Sequence, residues 1–119
     1  MDQFEFIERL KKYGIERDIA RYRESLFSPI EASEEDSVEG RFKKSIQSLS
    51  KEEQEYFLTY TKIVSENSIG IILSLLDGSS NIGVSGKFQL YYEQDGQRYH
   101  INNKDGDMLM TLLYDEDEE

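Results

Sequence analysis

The sequence predicts an α+β fold. About four N-terminal helices are followed by a C-terminal antiparallel β-hairpin packed on them, and a short final helix or third strand closes the chain. Three observations predict it. Apolar residues recur at helical spacing from Phe4 to Leu76. Ser50-Lys51-Glu52-Glu53 is a capping box at the head of the longest helical run. Asp95-Gly96 lies between two alternating runs, as a two-residue type I′ turn requires.

Residues 2–12 read as a helix, with Phe4, Ile7 and Leu10 on one face and Asp2 and Glu5 at the positive end of its dipole. Gly14 is the expected stop. A second helix runs from about Ile15 to Phe27, with Ile15, Ile19, Tyr22 and Leu26 facing the core, and Pro29 closes the region. Residues 1–26 hold six acids and six bases, the pattern of a solvated surface laced with ion pairs. Residues 31–37 show no apolar periodicity and read as an exposed loop or as the acidic first turn of the next helix. That helix spans about Ser37 to Ser48, with Val38, Phe42, Ile46 and Leu49 inward and Gly40 weakening it.

The capping box opens a helix over about 51–76. Its expected core stripe is Phe57, Tyr60, Val64, Ser68, Ile71 and Leu75, widened late by Ile69, Ile72, Leu73 and Leu76. Gly70 inside it points to close packing of another element, Gly78 supplies a left-handed cap, and a break is allowed near 65–68. A Gly/Ser-rich loop follows over 78–86. The turn at Asp95-Gly96 then fixes the hairpin register: Gln94 opposite Gln97, Glu93 opposite Arg98, Tyr92 opposite Tyr99, Tyr91 opposite His100 and Leu90 opposite Ile101. Phe88, Leu90, Tyr92, Tyr99 and Ile101 share the apolar face. Residues 107–114 favour a helix over a strand, with Asp107 as N-cap and Met108, Leu109, Leu112 and Leu113 inward. The expected organisation is one globular domain over 1–114 and an acidic disordered tail over 115–119.

The formal net charge is −11. Five acids lie between Glu31 and Glu39 and five more between Asp115 and Glu119, which leaves a body of fifteen acids against fourteen bases. Aromatics make up 12%, too rich for a disordered chain. With no cysteine, disulfide frameworks, thiolate metal sites and cysteine nucleophiles are excluded. The longest strongly apolar stretch, Ile69 to Leu76, is eight residues, far short of the ~20 a membrane span needs, and no secretory leader is legible. A cytoplasmic protein is expected, one that repels nucleic-acid phosphates and anionic lipid.

No nucleophile elbow, phosphate-binding loop or dinucleotide fingerprint occurs. His100 is the only histidine and lacks a sequence-evident catalytic partner. Residues 102–107 resemble a calcium loop superficially. Aligning Gly106 with the loop glycine puts Ile101 and Leu112 where carboxylates are required. No catalytic, metal or cofactor residues are therefore assigned. Two candidate contact surfaces are: the acidic segment Glu31, Glu34, Glu35 and Asp36, and the polar hairpin face Tyr91, Glu93, Arg98 and His100. The leading expectation is a non-catalytic, bacterial-type acidic binding protein that recognises a basic protein surface, most like an immunity protein or antitoxin facing a toxin. The alternatives are a structural or regulatory homo-oligomer and an enzyme, the latter requiring a carboxylate of raised pKa in a deep pocket.

Overall fold

The computed structural model describes residues 1–103 and 106–115. Its helices are α1 (Gln3–Arg9), a π-helical segment (Leu10–Glu16), α2 (Arg17–Leu26), α3 (Val38–Gln47), α4 (Lys51–Asp77) and α5 (Leu109–Tyr114). The hairpin strands are β1 (Tyr91–Gln94) and β2 (Gln97–His100), paired antiparallel. The α+β arrangement is the one expected, with a helix as the last element.

Gly14 does not stop the first helix. It keeps a negative φ, and the chain runs helically from Gln3 to Leu26 through the π segment. Packing explains the detour. Eight residues of α-helix would rotate Ile15 about 80° away from Ile7, and the wider π turn recovers that angle. Both side chains are buried in the same core cluster.

Helix α4 is unbroken over its 27 residues, with the predicted capping box formed on both sides: the Glu53 amide donates to Ser50 Oγ and the Ser50 amide to Glu53 Oε1, each at 3.1 Å. Gly78 ends it at φ 76°. The buried face matches the expected one only late in the helix, where Leu73 is buried and Ile69 and Leu76 pack on the core. Leu58, Gly70, Leu73 and Ser74 are buried, whereas Tyr60, Val64, Ser68 and Ile71 point to solvent. The π segment and α5 both pack on α4, and α5 does so over Gly70, where a small residue lets it approach. Tyr114 fills the space over Gly70, its hydroxyl donating to Asn67 Oδ1 at 2.9 Å. A periodic stripe is buried only when an element lies against it, and here the neighbours chose the narrower side.

The core unites Ile7, Ile15, Leu73, Ile101, Leu109, Leu112 and Leu113. The hairpin adopts the predicted register, including Glu93 opposite Arg98 and Tyr91 opposite His100. It packs through its root: Ile101 is buried and Leu90 half-buried, while Phe88 and Tyr99 remain exposed. Asn102 pins that root, donating to Leu76 O at 2.6 Å and Phe88 O at 2.7 Å and accepting from the Leu90 amide at 2.8 Å.

Helix α5 buries Leu109, Leu112 and Leu113 as expected, but Met108 is the N-cap position and is exposed. Asp107 does not cap it. The cap comes from Asp77 at the end of α4, whose two carboxylate oxygens accept from the Leu109 and Met110 amides at 2.8 and 2.9 Å. In α3, Ile46 is buried, but Val38 is fully solvated and Phe42 only half-covered. Of the expected acidic tail, residues 116–119 lie outside the described residues, whereas Asp115 is held, its carbonyl accepting from Lys11 Nζ at 3.0 Å.

Candidate recognition surfaces

The acidic segment is divided by the fold. Residues Ala32–Glu34 form a 3₁₀ turn closed by its own capping box: Glu31 caps the Glu34 amide, and Glu34 Oε1 accepts from the Glu31 amide at 3.0 Å. Glu34 also accepts from Lys43 Nζ at 2.9 and 3.2 Å, and the Lys43 side chain is almost wholly buried. The Glu31 amide, followed by Lys43, holds the Glu34 carboxyl below its ordinary acidity range. Ser37 locks the turn to α3, its hydroxyl donating to Glu34 O at 2.6 Å and accepting from the Gly40 amide at 2.9 Å. Glu31 and Glu34 are thus committed to the fold. Glu35 and Asp36 are exposed and make no ion pair among the described residues.

The hairpin face is a self-satisfied ladder. The Tyr91 and His100 rings stack with centroids 4.8 Å apart. The Arg98 guanidinium lies 3.8 Å from the Tyr91 ring centroid and pairs with Glu93 at 3.3 Å. His100 Nε2 shares a hydrogen bond with Gln89 Oε1. These side chains are exposed but already partnered. His100 also borders a cavity of about 450 Å³ with Lys87, Asp77 and Asp107. Asp77 in that cavity is occupied with capping α5.

The two candidate groups do not form one site. Phe42 of α3 packs on Phe57 of α4, ring centroids 5.4 Å apart, while the hairpin root is tied to Leu76. The intervening helix is about 20–30 Å long at 1.5 Å per residue. What lies beside the acidic segment is instead an apolar groove of about 530 Å³ between α2, α3 and α4. Its walls are Tyr22, Leu26, Phe42 and Phe57, and its rim carries Asp18 and Glu39. Tyr22 and Phe42 are each 42% exposed. Both were readable as core positions from their spacing, and no local signal marks them as left open. Arg21, also on the rim, is engaged loosely with Asp18 at 3.9 Å.

No protein-family model, curated protein or solved structure matches the chain.

Two further carboxyls, Glu53 and Glu55, are held below the ordinary range, Glu53 by the Ser50 amide and hydroxyl and Glu55 by Arg23. Arg23 joins α2 to α4 through a two-pronged pair with Glu55, with Nη2 to Oε2 at 2.9 Å. Among the described residues no cluster of three or more acidic or histidine side chains is arranged to hold a metal ion, and no helix is long and apolar enough to cross a membrane.

Proposed function

We propose that this chain is a non-catalytic recognition protein for a basic protein surface, of the immunity-protein or antitoxin kind. The supporting observation is the groove of Tyr22, Leu26, Phe42 and Phe57 with acid on its rim. Half-exposed aromatics in a concave apolar setting are what anchors a partner side chain. Glu39, with unpaired Glu35 and Asp36 on the adjoining segment, would meet lysines or arginines around that anchor, joined by Asp18 where a partner cation displaces its loose pair with Arg21. Net charge −11 steers a cationic partner from within about one Debye length, ~8 Å at physiological salt. The hairpin face ranks second, because Arg98 and His100 already have partners of their own.

The test is affinity capture from the source cell at about 50 and 500 mM salt, where screening lengths differ several-fold. A D18K/E39K variant serves as control. Recovery of one basic protein by the parent at low salt, lost at high salt and lost with the variant, is the expected result. Equal recovery by the variant, or recovery only of acidic proteins, overturns the proposal.

A further inference from the structure

We infer that the solvent face of α4 is a homodimer interface, in which two copies pair their α4 helices antiparallel. The face is distinct from the groove proposed for a basic partner. It consists of Tyr56, Tyr60, Ile63, Val64 and Ile71, each between 46% and 66% exposed. These residues follow one exposed stripe of a 27-residue helix, which Tyr114 of α5 borders where it reaches Asn67. Isolated exposed apolar side chains are ordinary, but a contiguous stripe of this kind marks an association surface.

One feature favours a second copy as the occupant, and another sets how the two copies pair. The first is area. With about 150–200 Å² for a fully exposed side chain, the low part of the aromatic range, the five residues offer about 500 Å² per copy. Two copies bury up to about 1,000 Å², the least that a specific interface needs. The second is charge. Glu52, Glu53 and Glu55 crowd the first turns of α4, while Asn67 to Leu76 carries no charged residue. A parallel pair would set the acidic turns against each other. An antiparallel pair sets them against the uncharged end and opposes the two helix dipoles. Centring the contact at residues 63 and 64 places Tyr56 opposite Ile71 of the other copy, Tyr60 opposite Asn67, and Ile63 opposite Val64. No acid then falls on the seam between residues 56 and 71, because Lys62 and Glu66 pair with each other off it at 3.9 Å. Each copy carries −11, so association strengthens with salt, opposite in sign to the steered binding proposed above.

Analytical ultracentrifugation of the full chain from about 5 to 200 µM should give a monomer–dimer equilibrium whose dimer fraction rises between about 50 and 500 mM salt. The I63E/I71E variant should weaken dimerisation at least tenfold while keeping the parent's helical circular dichroism. D18K/E39K, which alters the groove rim, should leave the dimer unchanged or slightly tighter. The cysteine-free sequence allows an orientation test. V64C should cross-link to itself on oxidation. Y56C should not, since in the antiparallel pair its two copies lie about 20 Å apart, but it should cross-link with I71C. A monomer at every concentration and salt overturns the inference. Self-cross-linking of Y56C overturns the antiparallel pairing, and loss of the dimer in D18K/E39K overturns the choice of face.

Discussion

Gly40 and Gly70 show how one absent methyl group acts differently in two settings. A Cβ at Gly40 would overlap the backbone carbonyl of Glu34, which the 3₁₀ turn and Ser37 hold in place. A Cβ at Gly70 would meet only the hydroxyl end of Tyr114, at 2.7 Å, and that ring can swing toward solvent. Alanine gains about 1 kcal/mol of helix propensity at either position. At Gly40 the overlap with immovable backbone exceeds that gain, so Gly40→Ala should lower unfolding free energy by about 1–3 kcal/mol. Gly70→Ala should fall within about 1 kcal/mol of the parent, the propensity gain offsetting the lost Tyr114 contact. Urea denaturation of both variants checks the order, and a Gly70→Ala more damaging than Gly40→Ala would refute the distinction. From sequence, Gly40 read only as a weak spot in a helix, because the carbonyl it accommodates belongs to a turn six residues away.

At the scale of elements, the two helix starts contrast. Helix α4 is capped by its neighbours in sequence, Ser50 and Glu53, and that was legible. Helix α5 is capped by Asp77, thirty-two residues before Leu109, and was not. An aspartate at the C-terminal end of α4 faces the negative end of that helix's dipole, an unfavourable place by itself. The two α5 amides it satisfies account for its presence. Asp77→Ala should cost about 1–2 kcal/mol by loss of the cap, and Asp77→Asn, which keeps one acceptor, should cost less. Thermal melts and amide exchange at Leu109 and Met110 measure this. Unchanged exchange at both amides in Asp77→Ala would show that the cap contributes nothing. The Asp95-Gly96 turn, with Asp95 at φ 53° and Gly96 at φ 78°, set the hairpin register as read, since a two-residue turn leaves one pairing available.

For the whole molecule, acidity works in two directions. The −11 charge repels itself, and that repulsion eases as pH falls toward the sequence isoelectric point near 4.5. Against it stand Glu34, Glu53 and Glu55, whose folded-state acidities are displaced downward. A carboxyl with a depressed folded pKa stabilises the fold above its unfolded value, about 4.3, and loses that contribution as pH drops through the folded value. Stability should therefore hold or rise slightly from pH 8 to 5, then fall below about pH 4.3. Glu34→Gln combined with Glu53→Gln should flatten the acid limb. Urea midpoints at pH 7, 5 and 3.5 test it, and an acid limb as steep in the double variant as in the parent would exclude these two groups as its source. The same scale separates the two binding proposals, one weakened by salt and the other strengthened.

Interactions that close within a few residues were determined by sequence alone: the Ser50–Glu53 capping box, the Gly78 left-handed stop, and the hairpin register with its Glu93–Arg98 pair. Their partners lie one turn of chain away, so local chemistry suffices. Tertiary structure decided which side of α4 is buried, how the helix passes Gly14, what caps α5, and that Tyr22 and Phe42 stay open. Each of those depends on an element distant in sequence. A periodic pattern states that a face is apolar, and only the arrangement of neighbours states whether that face meets the core, a groove or water.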